Sequence, residues 1–157
     1  MEEIKAQLAS ELKGLEREFR VELPREIKTA VAMGDLRENA EYHAALERQA
    51  FVRARIGQLR ERLAVLHSIN LDQVPRDRAG LGSTVKLLDL DNNQEVDYEL
   101  VVPEVANPEK GKLSIASPIG KSLVGKRPED EVTIETPAGR KNFELVELIT
   151  IHDRKKS

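Results

Sequence analysis

Two runs of helical periodicity on either side of a single glycine constrain this chain more than any other feature. Tyr42, Ala45, Gln49, Val52, Ile56, Leu59, Leu63 and Leu66 recur at alternating intervals of three and four, the spacing that gathers side chains on one narrow helical seam. Before Gly34, the residues Ile4, Leu8, Leu12, Leu15, Phe19, Leu23, Ile27 and Val31 recur mostly four apart, which is helical with a looser seam. Two such runs meeting at a short polar turn predict an antiparallel hairpin of helices. Pro24 falls inside the first run; it lacks an amide donor, so the helix should kink or restart there. One helix over residues 36–68 would be a rod roughly 50 Å long, at about 1.5 Å per residue.

Past Asn70 the pattern changes. Asp72, Pro75, Asp77, Gly80 and Gly82 form a polar connector, after which apolar residues alternate with a period of two, the signature of strands. Thr84–Leu90 and Val96–Val102 flank Asp91-Asn92-Asn93, and Val132–Thr136 and Lys141–Ile151 flank Pro137-Ala138-Gly139; both read as hairpins. Leu113–Ala116 suits a short strand, and Ser117-Pro118 opens a short helix that ends at Gly125, with Ser as cap and Pro in the first turn. The expected class is α+β. An N-terminal antiparallel two-helix coiled coil occupies residues 1–72, and a small antiparallel sheet domain with one short helix occupies residues 80–157.

Composition excludes several chemistries. No cysteine is present, which removes disulfides, thiol catalysis and zinc-thiolate sites. His43, His67 and His152 are scattered without zinc-ligand spacing. Gly120-Lys121-Ser122 imitates the end of a phosphate-binding loop, but Ile115 stands where that motif needs its first glycine. Only Tyr98 and Phe143 supply rings to the second half, too little for an aromatic-lined pocket. The formal charge of −3 gives no global pull toward nucleic acid or anionic lipid. No apolar run approaches the ~20 residues that span a bilayer, and Met1-Glu2-Glu3-Ile4 is no secretory leader. A cytoplasmic protein is expected.

The turn between the helical runs carries the chemistry. Asp35-Leu36-Arg37-Glu38 directly before a periodic run matches a capping box, with Asp35 accepting from orphan amides and Glu38 reaching back to the cap residue. The two carboxylates are too few to hold magnesium tightly, because that ion demands octahedral oxygen coordination. They suit completion of a site elsewhere, as in two-metal phosphodiester cleavage. On the following helix, Arg48, Arg53, Arg55, Arg60 and Arg62 stand against Glu61 alone over residues 48–62. Arg48, Arg55 and Arg62 repeat every seven residues on one face, a stripe that suits the phosphates of an RNA strand or pairs with Glu11, Glu16, Glu18 and Glu22 of the first run.

Gly34 to Ala45, continued by Leu46-Glu47-Arg48-Gln49 and the helix to Leu66, resembles the tip of the bacterial Gre-type transcript cleavage factors, a family of transcription elongation factors. Residues Ser117 to Lys126 and Glu131 to Gly139 are similar to the C-terminal signature of the same family. The resemblance implies a coiled coil that enters the secondary channel of bacterial RNA polymerase and a C-terminal domain, similar in fold to FK506-binding proteins, that grips the channel's rim. It implies a monomer with no cofactor and no nuclease of its own. Asp35 and Glu38 would share a Mg²⁺ held by polymerase, which then cuts the nascent RNA 3′ end. Asn39, Glu41 and Tyr42 would shape the tip, and Arg48, Arg55 and Arg62 would hold extruded RNA. Two alternatives stand beside this reading. Relatives of the same fold with a different tip inhibit transcription by occupying the channel, and a coiled-coil interaction module would use the tip acids as caps only.

Overall fold

The computed structural model describes residues 1–155. The chain forms two compact units that divide between Ile69 and Asn70. In the first, helix α1 (Glu2–Arg17) passes through a π-helical stretch (Glu18–Glu22) into α2 (Leu23–Ala32), and α3 (Ala40–Ser68) returns along them. The expected seam is present on α3, where Ala45, Val52, Ile56, Leu59, Leu63 and Leu66 are buried and Tyr42 and Gln49 half-buried. Leu12, Leu15, Phe19 and Leu23 pack from the other side on Val52 and Ile56. Helix α3 has 29 residues, roughly 44 Å at about 1.5 Å per residue. It is shorter than the expected rod because residues 36–39 belong to the turn.

The π-helical stretch reconciles the sequence spacing with the seam. Leu15, Phe19, Leu23 and Ile27 stand four apart, and on an unbroken α-helix each such step overshoots a turn by about 40°. The wider winding takes up the excess: the Leu23 amide donates to the Glu18 carbonyl five residues back, and Leu23 is fully buried. The same device accommodates Pro24, which falls in the first turn of α2 where a missing donor is tolerated. At the end of α2 the expected seam residue Val31 is 46% exposed, and Ala30 is buried instead. The step from Ile27 to Ala30 is three residues, which corrects the drift that a fourth step of four would add.

The second unit is a five-stranded sheet in the order β3-β2-β1-β5-β4. Its strands are β1 (Thr84–Asp89), β2 (Glu95–Val101), β3 (Lys112–Ser114), β4 (Glu131–Thr136) and β5 (Gly139–Ile149). Both expected hairpins are formed, the second pairing Thr136 with Gly139 across Pro137-Ala138. The sheet is not wholly antiparallel, since β3 pairs parallel to β2. The residues between them make that crossover by two short 3₁₀ turns and a left-handed Gly111. The register of β5 on β1 slips where Lys86 faces Glu147 and Leu87 faces Leu145. That bulge leaves Val146 exposed and turns Leu148 toward the core after Phe143 and Leu145.

Helix α4 (Pro118–Leu123) is capped by Ser117, whose hydroxyl oxygen accepts from the Gly120 amide at 3.1 Å. It presses Leu123 into a core of Val85, Leu87, Leu100, Val132 and Leu145, each such side chain worth about 1.5–3 kcal/mol on burial. The last strand ends earlier than expected because Thr150 starts a second short helix, α5 (Ile151–Lys155), with its amide donating to the Asp153 carboxylate at 3.0 Å. Within that helix His152 is 5% exposed and its Nε2 donates to the Val74 carbonyl at 2.7 Å, fastening the start of the unit to its end. No helix among the described residues is long and apolar enough to cross a membrane.

A methyl group on Gly120 would collide with the backbone carbonyl of Ser114. Gly120→Ala should destabilise the second unit by about 1–3 kcal/mol, whereas Gly125→Ala, strained only by its φ of +89°, should cost about 1 kcal/mol. Urea denaturation of the two variants measures the difference.

Candidate functional site

The turn is held by backbone and by the side chains of Asp35, Asn39 and His43. Gly34 has a φ of +126° with open space where a Cβ would sit, so conformation rather than crowding requires glycine there. Its amide bonds loosely to the Val31 carbonyl at 3.4 Å as α2 ends. The Asp35 carboxylate accepts from the Arg37 amide at 2.9 Å, a local Asx turn. His43 reaches back from α3 to give its Nε2 hydrogen to the Arg37 carbonyl at 3.2 Å.

Asn39 is the cap of α3, and the expected Asp35–Glu38 capping box does not form. The Asn39 backbone is extended, and its Oδ1 accepts from the Tyr42 amide at 3.0 Å. Its Nδ2 donates to the Ala30 carbonyl of α2 at 2.6 Å. One side chain thus serves an orphan amide at the start of α3 and a terminal carbonyl of α2. A local pattern could rank Asp35 above Asn39 as cap, but only Asn39 carries a donor for the neighbouring helix.

Asp35 and Glu38 are therefore left exposed on the turn itself. Glu38 has no hydrogen-bond or ion-pair partner among the described residues, and Asp35 gives one oxygen to the Arg37 amide. With Glu41 from the first turn of α3 they border an open depression of about 400 Å³ that also touches Met33 and Asn39. The Tyr42 ring meets the His43 ring edge-on, with centroids 5.8 Å apart. No group of three Asp, Glu or His side chains among the described residues is close enough to hold an ion by itself. The donor set suits a metal whose other ligands come from elsewhere.

The arginine stripe is drawn into the hairpin. Arg48 grips Glu18 with two bonds of 2.7 and 2.8 Å, and Arg55 grips Glu11 with two of 2.9 and 3.1 Å. As the residue number rises along α3 its partner's falls along the first helix, so these forks also fix the antiparallel register. Arg62 is half-buried further along the same helix. The hydrogen bonds from Arg48 and Arg55 hold the Glu18 and Glu11 carboxyls below the usual carboxylate range and raise the guanidinium values in turn.

The family follows from comparison with known proteins. A model described as "Transcription elongation factor, N-terminal" matches residues 2–67, and one described as "Transcription elongation factor, GreA/GreB, C-term" matches residues 74–150. The chain belongs to the GreA/GreB family of transcription elongation factors. The transcription elongation factor GreA of Helicobacter hepaticus is 45% identical over 141 residues, covering 90% of this chain and 86% of that one. GreA of Nitratiruptor sp. is 44% identical over 132 residues, covering 84% and 81%. The solved GreA factor homolog 1 (Gfh1) of Thermus thermophilus is 27% identical over 92% of this chain and 94% of its own, with a TM-score of 0.44.

Two outcomes follow from this geometry. Asn39→Ala should cost about 1–2 kcal/mol through the lost cap and the orphaned Ala30 carbonyl, while Asp35→Asn and Glu38→Gln leave the thermal midpoint unchanged; circular dichroism melts compare them. A carboxylate depressed in the folded state adds stability that is present above its unfolded pKa and lost as pH falls through its folded one. Helix stability should therefore drop as pH is lowered from about 6 to about 3, and the Glu11→Gln, Glu18→Gln double variant should flatten that dependence when melts are repeated across the range.

Proposed function

We propose that this protein inserts its helical hairpin into the secondary channel of bacterial RNA polymerase and stimulates the polymerase's own cleavage of backtracked nascent RNA. The observation that carries the reading is that α3 is capped without Asp35 and Glu38, so the Glu38 carboxylate and the second oxygen of Asp35 remain available on a turn held by Asn39, His43 and the Asp35–Arg37 bond. The setting proposed with it is a cytoplasmic factor that acts as a monomer on the elongating polymerase, with its second unit on the channel rim; membership of the GreA/GreB family supports this reading.

The division of labour follows from what the tip has and lacks. The second magnesium of the polymerase active centre supplies an activated water and neutralises charge at the leaving oxygen. Asp35 and Glu38 present carboxylate oxygens toward that centre, Asn39 and Tyr42 keep the turn in place, and Glu41 adds negative charge beside them. The factor is not itself an enzyme and carries no cofactor. Arg48 and Arg55 lie on the stalk with Glu18 and Glu11 as partners, so an extruded RNA strand competes with those carboxylates for them, and Arg62 extends the same stripe.

The test uses stalled, backtracked elongation complexes with magnesium. The purified protein alone should leave RNA uncut and should shorten 3′ RNA when polymerase is present. Asp35→Asn or Glu38→Gln should retain polymerase binding and lose at least about tenfold in cleavage rate, the scale of one removed group that acts only in the transition state. Binding without stimulation by the unaltered protein would sink this reading and establish channel occupation as the activity.

A further inference from the structure

We propose that a second face of the helical hairpin binds the phosphate and base of a nucleotide, in a site built by Phe19, Arg20, Arg53, Gly57 and Arg60. The site lies apart from the tip acids and from the paired Arg48 and Arg55, and it does not depend on the cleavage reading. It is a depression of about 390 Å³ between the π-helical stretch and the middle of α3.

Its charge is unbalanced. Three guanidinium groups border the depression with Glu16 as the one acid. Arg20 and Arg60 each stand 3.8 Å from Glu16, beyond direct hydrogen-bonding distance, in contrast to the forked pairs of Arg48 and Arg55. Arg53 has no carboxylate partner among the described residues; its guanidinium lies 5.4 Å from the centre of the Phe19 ring. Most of the fifteen or so N–H donors that three arginines carry are thus unspent. A phosphate group meets that geometry bidentately.

The floor is apolar and open. Ile56 is buried beneath it, and Gly57 has nothing within 4 Å of where a Cβ would sit, so Gly57 leaves the depression unfilled beside the Arg53–Phe19 pair. The half-buried Phe19 ring carries the Arg53 guanidinium 5.4 Å from its centre, and the outer face of a guanidinium so held is a surface on which a nucleobase stacks. Phe19 and Arg20 are presented by the π-helical stretch, a local winding that recurs at functional sites. Phosphate donors and a stacking surface side by side select a nucleotide over inorganic phosphate.

Calorimetric titration of the full chain at low salt with ATP, inorganic pyrophosphate and a uridine hexamer tests the site, with amide and ring resonances recorded in parallel. ATP is expected to bind and to shift Arg53, Gly57 and the Phe19 ring, with pyrophosphate weaker. The Arg53→Gln, Arg60→Gln double variant should bind at least about tenfold more weakly. Gly57→Leu fills the space without changing charge and suits a helix better than glycine; it should abolish ATP binding while circular dichroism shows the fold intact. Tighter binding of the hexamer through the same residues identifies an RNA chain as the natural source, and tighter binding of ATP identifies a free nucleotide. The proposal is overturned if none of the three binds, if ATP affinity survives both variants, or if pyrophosphate matches ATP without moving Phe19.

Discussion

The carboxamide of Asn39 is the interaction on which the working end of this molecule depends. A helix turn leaves amides at one helix start and carbonyls at the other helix end without partners. Asn39 answers one of each, through Tyr42 and Ala30. An aspartate could cap α3 equally well but could not donate to Ala30, and a lysine could donate but not cap. Because this single group closes the hairpin, the acids beside it are released from capping the helix. A turn built on Asp35 and Glu38 would have tied up the oxygens that the proposed function needs.

What could be read in the chain divides along the line between local and distant information. The seam from Ala45 to Leu66 was legible residue by residue, because burial at intervals of three and four is written in the order of side chains. The two hairpins were legible through Asp91-Asn92-Asn93 and Pro137-Ala138-Gly139 for the same reason. The parallel pairing of β3 was not, since nothing near Lys112 specifies which edge it will join. The bulge at Val146 hid as well, because Val146 reads as an ordinary strand residue until its opposite numbers on β1 are known. Ile149-Thr150-Ile151 looks like more strand, and the cap between Thr150 and Asp153 overrides it.

The candidate site shows the same division. The positions of Asp35 and Glu38 in a turn were legible, but the identity of the cap was not, because the decisive partner, Ala30, lies on the other helix. Equal chemistry also conceals different fates among the arginines. Arg48 and Arg55 find carboxylates in register across the hairpin, whereas Arg53 finds a ring. Spacing on α3 alone places them on faces; only the facing helix decides which are spent on structure.

The π-helical stretch at Glu18–Glu22 governs where the tip points as well as how the seam packs. Closing this wide turn to ordinary winding with every residue kept would swing everything distal by about 100° around the helix axis, whereas losing one residue as it closes would keep the phase. Whole turns added or removed elsewhere alter how far such a probe extends; the winding here sets its bearing. Lineages that lengthen or trim this arm are therefore free to vary its reach in steps of a turn, but must preserve the phase set at this one place or realign the acids by other means.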